Sequence, residues 1–167
     1  MIKKSKEFAL RCHSSTNHFY DKTLPYSHHL QMVVNTALKF IYLIPNEFHE
    51  LVISACWLHD TIEDTRITYA DLCKEINISV AEIVYALTNE KGRTRRERAN
   101  EKYYEGIRNT RFATFCKLCD RIANIEYSIS KGSDALSMYS KENPHFIRSI
   151  YTEEYDEMFD YLKEIVS

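Results

Sequence analysis

The stretch from Leu51 to Thr65 constrains the fold more than any other part of the chain, because an apolar run ends there abruptly in ionisable side chains. The first half of the stretch is apolar nearly all the way round a helix, a pattern typical of a helix buried on every side. Helical spacing then stacks His59 over Glu63 and Asp60 over Asp64. Burial of so many ionisable groups beside a core is unfavourable unless a cation neutralises them. The stretch therefore predicts a metal site at the end of a core helix.

Three glycines and three prolines in 167 residues leave little material for tight hairpin turns, so the composition favours an all-α chain. With 44% hydrophobic residues, this length suits one domain spanning residues 1–167. A net charge of −2 gives no reason to expect a nucleic-acid partner, and no apolar run is long enough to cross a membrane. We expect a cytoplasmic protein whose five cysteines are reduced thiols, and no pattern indicates its oligomeric state.

Apolar periodicity and capping signals predict where the helices lie. Thr68 should cap one helix, the Ser79-x-x-Glu82 capping box should open the next, and Pro144 should open the last. Residues 13–25 are predicted to be loop. The predicted helices cover residues 3–12, 26–41, 47–63, 69–76, 79–87, a charged segment ending near 108, 110–130, 133–141 and 144–166.

Four sequence blocks lie in a characteristic order along residues 13–125. They read Pro25-Tyr-x-x-His29, Leu58-His-Asp-Thr-Ile-Glu-Asp-Thr65, Thr88-Asn89 and Lys117-Leu-x-Asp-Arg-x-x-Asn124. Together they give the pattern H…HD…D and resemble the HD-domain metal-dependent phosphohydrolases. The similarity is greatest to the RelA/SpoT-type alarmone hydrolases and their small stand-alone relatives. This resemblance implies an all-α HD-domain fold with a central buried helix that carries the His-Asp motif.

The resemblance implies His29, His59, Asp60 and Asp120 as metal ligands. Two imidazoles and two carboxylates leave open positions on a six-coordinate divalent ion, which suits Mn²⁺ or a similar first-row metal. A histidine in the first turn of a helix can also be a cap or a core residue, and the neighbouring His28 competes for the same role. The spacing from Tyr26 in the family pattern selects His29.

Glu63 and Asp64 resemble an acidic pair that distinguishes the alarmone-hydrolysing branch. One of them could deprotonate the attacking water and later protonate the leaving oxygen. The alternative is a solvated helix end, where acidic residues are common. Their position directly after His59-Asp60 favours a catalytic role.

Several further residues are candidates for substrate binding. Asn124 lies one turn after Asp120 and could bind a ribose or phosphate oxygen, whereas Lys117 could bind phosphate or pair with an acid. Arg95 belongs to a basic stretch, residues 91–98, which could contact a pyrophosphate or be a solvated helix start. Tyr139 and Lys141 match a weaker block of small HD hydrolases and are expected in the pocket wall.

The segment of residues 14–22 departs from the family pattern. In the alarmone hydrolases this loop carries lysine, glutamine and arginine that hold the nucleotide, whereas here the basic pair is absent. Lys22 is a candidate replacement, together with His18, Phe19 and Tyr20. The metal chemistry is unaffected by this difference, but the substrate assignment depends on it.

The resemblance implies that the chain removes the 3′-pyrophosphate from guanosine tetra- or pentaphosphate. One alternative is an HD phosphatase that acts on another nucleotide, such as a deoxynucleoside monophosphate or the 2′-phosphate of NADPH. A second alternative is a non-catalytic nucleotide-binding module. A small-molecule nucleotide is the expected partner in every case.

Overall fold

A computed structural model describes residues 1–16 and 18–166 of the chain; Asn17, part of the predicted loop, and Ser167 lie outside the described residues. The α-helices are α1 (Ile2–Ser14), α2 (Ser27–Phe40), α3 (His49–Leu58), α4 (Thr61–Asp64), α5 (Tyr69–Glu75), α6 (Ile78–Leu87), α7 (Arg95–Arg98), α8 (Glu101–Asn109), α9 (Ala113–Lys131), α10 (Ala135–Ile150) and α11 (Asp156–Glu164). Short 3₁₀ helices cover Ile41–Leu43, Asn46–Phe48 and Glu153–Tyr155. The predicted all-α class is confirmed.

The core forms around α3, which packs against α1, α2, α6 and α9. Val52, Ala55, Cys56 and Leu58 of this helix are fully buried, as its all-round apolar sequence predicts. Helix α2 lies between α3 and α9, so the three helices that carry the H…HD…D residues are direct neighbours. The packing of the core therefore positions the candidate site.

The predicted helix over residues 47–63 is wrong as a single helix. It is divided into a 3₁₀ turn, α3 and α4, with His59 and Asp60 at the break between the last two. The His59 ring nitrogen Nδ1 lies 3.0 Å from the carbonyl oxygen of Cys56, a group at the end of α3. This side-chain contact satisfies a carbonyl of the last turn, so that α3 can end where the histidine begins.

Two other boundary predictions are wrong. The cap of α6 is Asn77, whose side chain accepts a hydrogen bond from the backbone N–H of Val80, instead of Ser79. Pro144 lies inside α10 and opens no helix. Arg121 of α9 donates hydrogen bonds to Asn143 and Glu142, and these tertiary contacts hold the helix across the proline.

The segment predicted as loop contains a small antiparallel hairpin, which we call the hairpin, residues 19–25. Its strands are β1 (Phe19–Tyr20) and β2 (Leu24–Pro25), with Tyr20 opposite Leu24. Asp21 and Lys22 between them adopt positive φ angles of 49° and 65°, which glycine usually supplies in such turns. Elsewhere, the cap at Thr68 and the helix after it are confirmed. Among the described residues, no helix is both long and apolar enough to span a bilayer.

Candidate active site

Side chains from three core elements converge on one point beside α3. His29 comes from α2, His59 and Asp60 from the break after α3, and Asp120 from the middle of α9. The Nε2 atoms of His29 and His59 are 3.2 Å apart, and Asp120 Oδ1 lies 3.3 Å from the first. Asp60 Oδ2 lies 2.8 Å from His59 Nε2. The ligand atoms of His29, His59 and Asp120 all lie within 4.8 Å of one another, as in a site that could hold a metal ion.

The electrostatics of this cluster favour a positive charge at its centre. Burial lowers the pKa of His29, but hydrogen bonds and charges from Asp120 and Asp60 outweigh burial and raise it to about 9. Burial likewise opposes charge on His59, whose pKa is nevertheless raised, chiefly by Asp60. Burial opposes ionisation of Asp60, but the charge of His59 and hydrogen bonds from both histidines keep its pKa well below the usual range. A proton on the histidines or a metal cation would supply the positive charge that both carboxylates require.

The donor set fits a divalent cation. Two imidazole nitrogens and two carboxylate oxygens are nitrogen and oxygen ligands of the kind that first-row divalent metals accept. The two histidine rings are 2% exposed, so they are shielded from bulk water that could otherwise stabilise their charge. His28 is exposed on the outer side of α2 and does not reach the cluster, so of the two candidate histidines His29 is the one at the site.

Neighbouring side chains hold both carboxylates in place. Tyr26 donates a hydrogen bond of 2.5 Å to Asp60 Oδ2. One oxygen of Asp120 accepts a 2.9 Å hydrogen bond from Lys117 Nζ, and the other accepts a 2.6 Å hydrogen bond from Asn124 Nδ2. Lys117 is therefore paired with an acid, the second of the two roles predicted for it. Such outer contacts orient ligand atoms in metal sites.

The acidic pair lies at the edge of the cluster, and its two members have different surroundings. Glu63 accepts two hydrogen bonds from Asn89, one from the backbone N–H at 3.1 Å and one from the side-chain amide at 2.8 Å. Asp64 has one oxygen 3.6 Å from His18 Nδ1. Burial first, and the charge of Asp60 second, raise the pKa of Asp64 to about 6. Asp64 can thus exchange a proton near neutral pH.

A cavity of about 580 Å³ opens above the cluster, a volume suited to a small-molecule ligand. Its lysine and arginine side chains all lie on helices, and we call this set the helical wall. They are Arg95, Arg96, Arg98, Lys117, Arg121 and Lys141. Tyr20 of the hairpin and Tyr26, which follows it, also line the cavity.

The predicted substrate-binding residues are distributed unevenly with respect to this cavity. Asn124, Lys117, Arg95 and Tyr139 all line it. Lys22 lies at the exposed tip of the hairpin and is not among the residues that line the cavity, so its predicted substrate contact has no support from its position. Within the described part of residues 14–22, no lysine or arginine faces the cavity.

Arg121 lines the cavity, although the sequence analysis gave it no role. It is 6% exposed, pairs with Glu142 at 3.1 Å and lies over the ring of Tyr139, 4.7 Å from its centroid. The signal that could have found it is a charged residue within the apolar pattern of α9. Tyr103 and Tyr104 are buried and also line the cavity. Cys116 and Cys119 are buried free thiols, as predicted.

Comparison with known proteins places the chain beside the proteins that its motifs predict. No family model matches the chain. A curated protein of Danio rerio, guanosine-3′,5′-bis(diphosphate) 3′-pyrophosphohydrolase MESH1, is 34% identical over 74 residues, which are 44% of this chain and 41% of that protein. The chain thus spans about two fifths of the length of this relative.

A solved structure shares the fold over nearly its whole length. It is that of a metazoan ortholog of SpoT, a protein described as hydrolysing ppGpp and playing a role in starvation responses. The TM-score is 0.75 at 22% sequence identity, with 98% of this chain and 92% of that chain covered. This similarity confirms the predicted all-α HD-domain fold.

Proposed function

We propose that the chain is a metal-dependent phosphohydrolase that removes the 3′-pyrophosphate of guanosine tetra- or pentaphosphate. The observation that carries this proposal is the convergence of His29, His59, Asp60 and Asp120 at the floor of a cavity with a cationic wall. The Danio rerio relative and the SpoT ortholog, which are both described as acting on this substrate, support it. The proposal treats residues 1–167 as one catalytic domain and a small nucleotide as its partner.

His29, His59, Asp60 and Asp120 would hold the ion, and we propose Mn²⁺ because open coordination positions and mixed nitrogen and oxygen ligands suit it. When bound, such an ion supplies Lewis-acid activation of water and neutralises phosphate charge. The hydrogen bonds from Tyr26, Lys117 and Asn124 keep the two carboxylates oriented.

Asp64 is the proposed proton carrier. Water attacks the phosphorus next to the 3′ oxygen, a new P–O bond forms, and the bond from phosphorus to the 3′ oxygen breaks. Asp64 takes the proton from the water and returns it to the leaving 3′ oxygen, so that the nucleoside 3′-hydroxyl and pyrophosphate are the products. Glu63 is less available for this step because Asn89 occupies both of its carboxylate oxygens.

The helical wall supplies the proposed phosphate contacts. Arg95 and Arg121 both pair with Glu142, whereas Arg96, Arg98 and Lys141 are exposed at the cavity. Guanidinium groups match phosphate oxygens in two-point hydrogen bonds and stabilise the charge that builds up during phosphoryl transfer.

One observation favours a second candidate function. The side of the cavity next to the hairpin is lined by the aromatic rings of Tyr20 and Tyr26, and the described part of residues 14–22 adds no cation there. A nucleotide that presents a single phosphate monoester for hydrolysis would suit this arrangement. The candidates are a deoxynucleoside monophosphate and the 2′-phosphate of NADPH.

The test is to incubate the purified protein and Mn²⁺ with guanosine tetraphosphate and to separate the products by ion-exchange chromatography. We expect GDP and pyrophosphate in equal amounts, and no product when a chelator is present. The same assay with deoxynucleoside monophosphates and NADPH measures the second candidate. Turnover of one of these nucleotides but not of guanosine tetraphosphate would overturn the substrate assignment, and no metal-dependent turnover of any of them would overturn the proposed reaction class.

A further inference from the structure

The two candidate histidine ligands differ in what fixes their rings. His59 has its Nδ1 atom 3.0 Å from the carbonyl oxygen of Cys56, so a hydrogen bond on the far nitrogen orients this ring. The Nδ1 atom of His29 is buried and has no hydrogen-bond partner among the described residues. Metal-binding histidines usually donate their second ring N–H to an acceptor that fixes ring orientation. His29 must therefore be oriented by something else.

Tyr20 is the side chain that covers the His29 ring. The two rings are stacked, with centroids 5.0 Å apart and planes 11° from parallel. The edge of Tyr127 packs against Tyr20 at 4.9 Å, and the Tyr127 hydroxyl donates a 2.7 Å hydrogen bond to Asp21 in the turn of the hairpin. Tyr20 is thus clamped between helix α9 and the ring of His29.

The hydroxyl of Tyr20 reaches a second candidate ligand through one intermediary. It donates a 2.9 Å hydrogen bond to Asn124 Oδ1, and the Asn124 amide nitrogen therefore faces Asp120. That nitrogen donates one hydrogen bond of 2.6 Å to Asp120 Oδ1 and another of 3.0 Å to the Asp120 carbonyl oxygen. Asp120 Oδ1 is the same atom that lies 3.3 Å from His29 Nε2. Without the hydroxyl, the amide of Asn124 could rotate and present its oxygen to the carboxylate.

We propose that Tyr20 is a positioning residue for the candidate metal centre, holding the His29 ring with its face and the Asp120 carboxylate through Asn124. This inference rests on the metal-binding part of the proposed function. It gives the hairpin a structural task at the metal centre that is separate from any contact with the nucleotide.

Metal titration of the apoprotein tests the inference without any substrate. Tyr20→Phe removes the hydroxyl and keeps the ring, whereas Tyr20→Leu removes both. Tyr42→Phe is the matched control, because the exposed Tyr42 hydroxyl donates one 2.7 Å hydrogen bond to Glu157 away from the cavity. By isothermal titration with Mn²⁺ we expect a Kd raised several-fold for Tyr20→Phe, about tenfold or more for Tyr20→Leu, and unchanged for Tyr42→Phe.

A second readout separates positioning from stacking on substrate. If Tyr20 positions the metal ligands, saturating Mn²⁺ should restore most of the activity of Tyr20→Phe with an unchanged KM. A KM that stays raised at saturating Mn²⁺, with unchanged Mn²⁺ affinity, would overturn the inference and assign Tyr20 to the nucleotide. The His29 ring-proton NMR shifts should also move in Tyr20→Leu, which reports on the stacked ring even if this variant is less stable.

The inference and the proposed reaction fail in different ways. Equal Mn²⁺ affinity in all three variants and in wild type would overturn the inference and leave the reaction standing. Suppose that the wild type binds metal, that both Tyr20 variants bind it more weakly, and that the wild type does not hydrolyse guanosine tetraphosphate. This outcome would support the inference and overturn the substrate assignment. A wild-type protein that binds no divalent metal would overturn both.

Discussion

The helical wall and the hairpin both contribute to the lining of the cavity, and they differ in the charge that they bring to it. Arg121 of the helical wall is buried and bound by Glu142 and Asn143, on helices that pack into the core. The hairpin has two-residue strands, and its Phe19 side chain is 54% exposed. The helical wall carries positive charge, whereas the hairpin contributes the aromatic ring of Tyr20. Under the proposed function, the helical wall would bind phosphate and the hairpin would influence which nucleotide fits.

The largest effect is expected from a change in the candidate metal cluster. Asp60→Asn removes a charge next to both candidate histidines, so Mn²⁺ should no longer co-purify or titrate, and turnover should fall to the level seen with chelator. Metal content by mass spectrometry and pyrophosphate release are the measurements. Asp134→Asn, at an exposed position before α10, is the control. Full metal binding in Asp60→Asn would remove Asp60 from the proposed ligand set.

The next largest effect is expected at Asp64, which lines the cavity. Asp64→Asn should lower kcat about 10²- to 10⁴-fold, the range for loss of a general acid or base, with Mn²⁺ affinity and thermal stability unchanged. Since the pKa of Asp64 is raised to about 6, a base at this position is protonated as the pH falls through that value. The wild-type rate should therefore fall on the acid side, and the residual activity of the variant should lack this dependence. The proton role is contradicted if the variant retains both the rate and its acid limb.

A smaller effect is expected from one cation of the helical wall. Arg96→Gln should raise KM about 10- to 100-fold with little change in kcat if it removes one hydrogen bond to charged phosphate, worth about 1.5–3 kcal/mol. Arg93→Gln is the matched control, because Arg93 is exposed in the same basic stretch but does not line the cavity. Equal KM values for the two variants would show that the charge of the stretch acts only at long range.

The smallest effect comes from adding charge to the hairpin. Phe19→Lys adds a second exposed cation to the hairpin, beside Lys22 and outside the cavity lining. We expect KM for guanosine tetraphosphate to fall at most about two- to fivefold through this longer-range attraction, since exposed ion pairs contribute at most about 1 kcal/mol. Phe19→Gln controls for loss of the ring. A reduction in both variants would show that the exposed ring, and not the missing charge, limits binding, and the contrast between the two sides would then be weaker than proposed.

The candidate metal ligands could be named from the sequence because the blocks that contain them resemble those of the HD-domain hydrolases. This resemblance implies His29, His59, Asp60 and Asp120, and core packing brings their side chains together. Their convergence is now observed, but their role as metal ligands stays a prediction. The sequence located Glu63 and Asp64 but could not show which of them carries the proton. The hydrogen bonds from Asn89 that occupy Glu63 join residues far apart in sequence, so local pattern does not predict them.

The hairpin could not be predicted because its turn lacks the usual signals. Asp21 and Lys22 adopt the left-handed conformation without glycine, and Lys22 carries a side chain that makes this conformation unfavourable by about 1–2 kcal/mol. The stacking of Tyr20 on His29 and its bond to Asn124 are tertiary contacts that local pattern does not encode. Pro144 inside α10 is another case in which contacts from a distant helix override a local breaker signal.

The interruption between α3 and α4 has a consequence for anyone who would transplant this motif into a designed protein. On a regular helix, successive side chains diverge by about 100° around the axis, so adjacent residues point to different places. Here Asp60, with φ −99° and ψ 1°, leaves the helical path, and its carboxylate meets the imidazole of the residue before it at 2.8 Å. A His-Asp dipeptide grafted onto an ideal helix would keep the two residues and lose their convergence. The transferable unit is the dipeptide together with the helix end that precedes it.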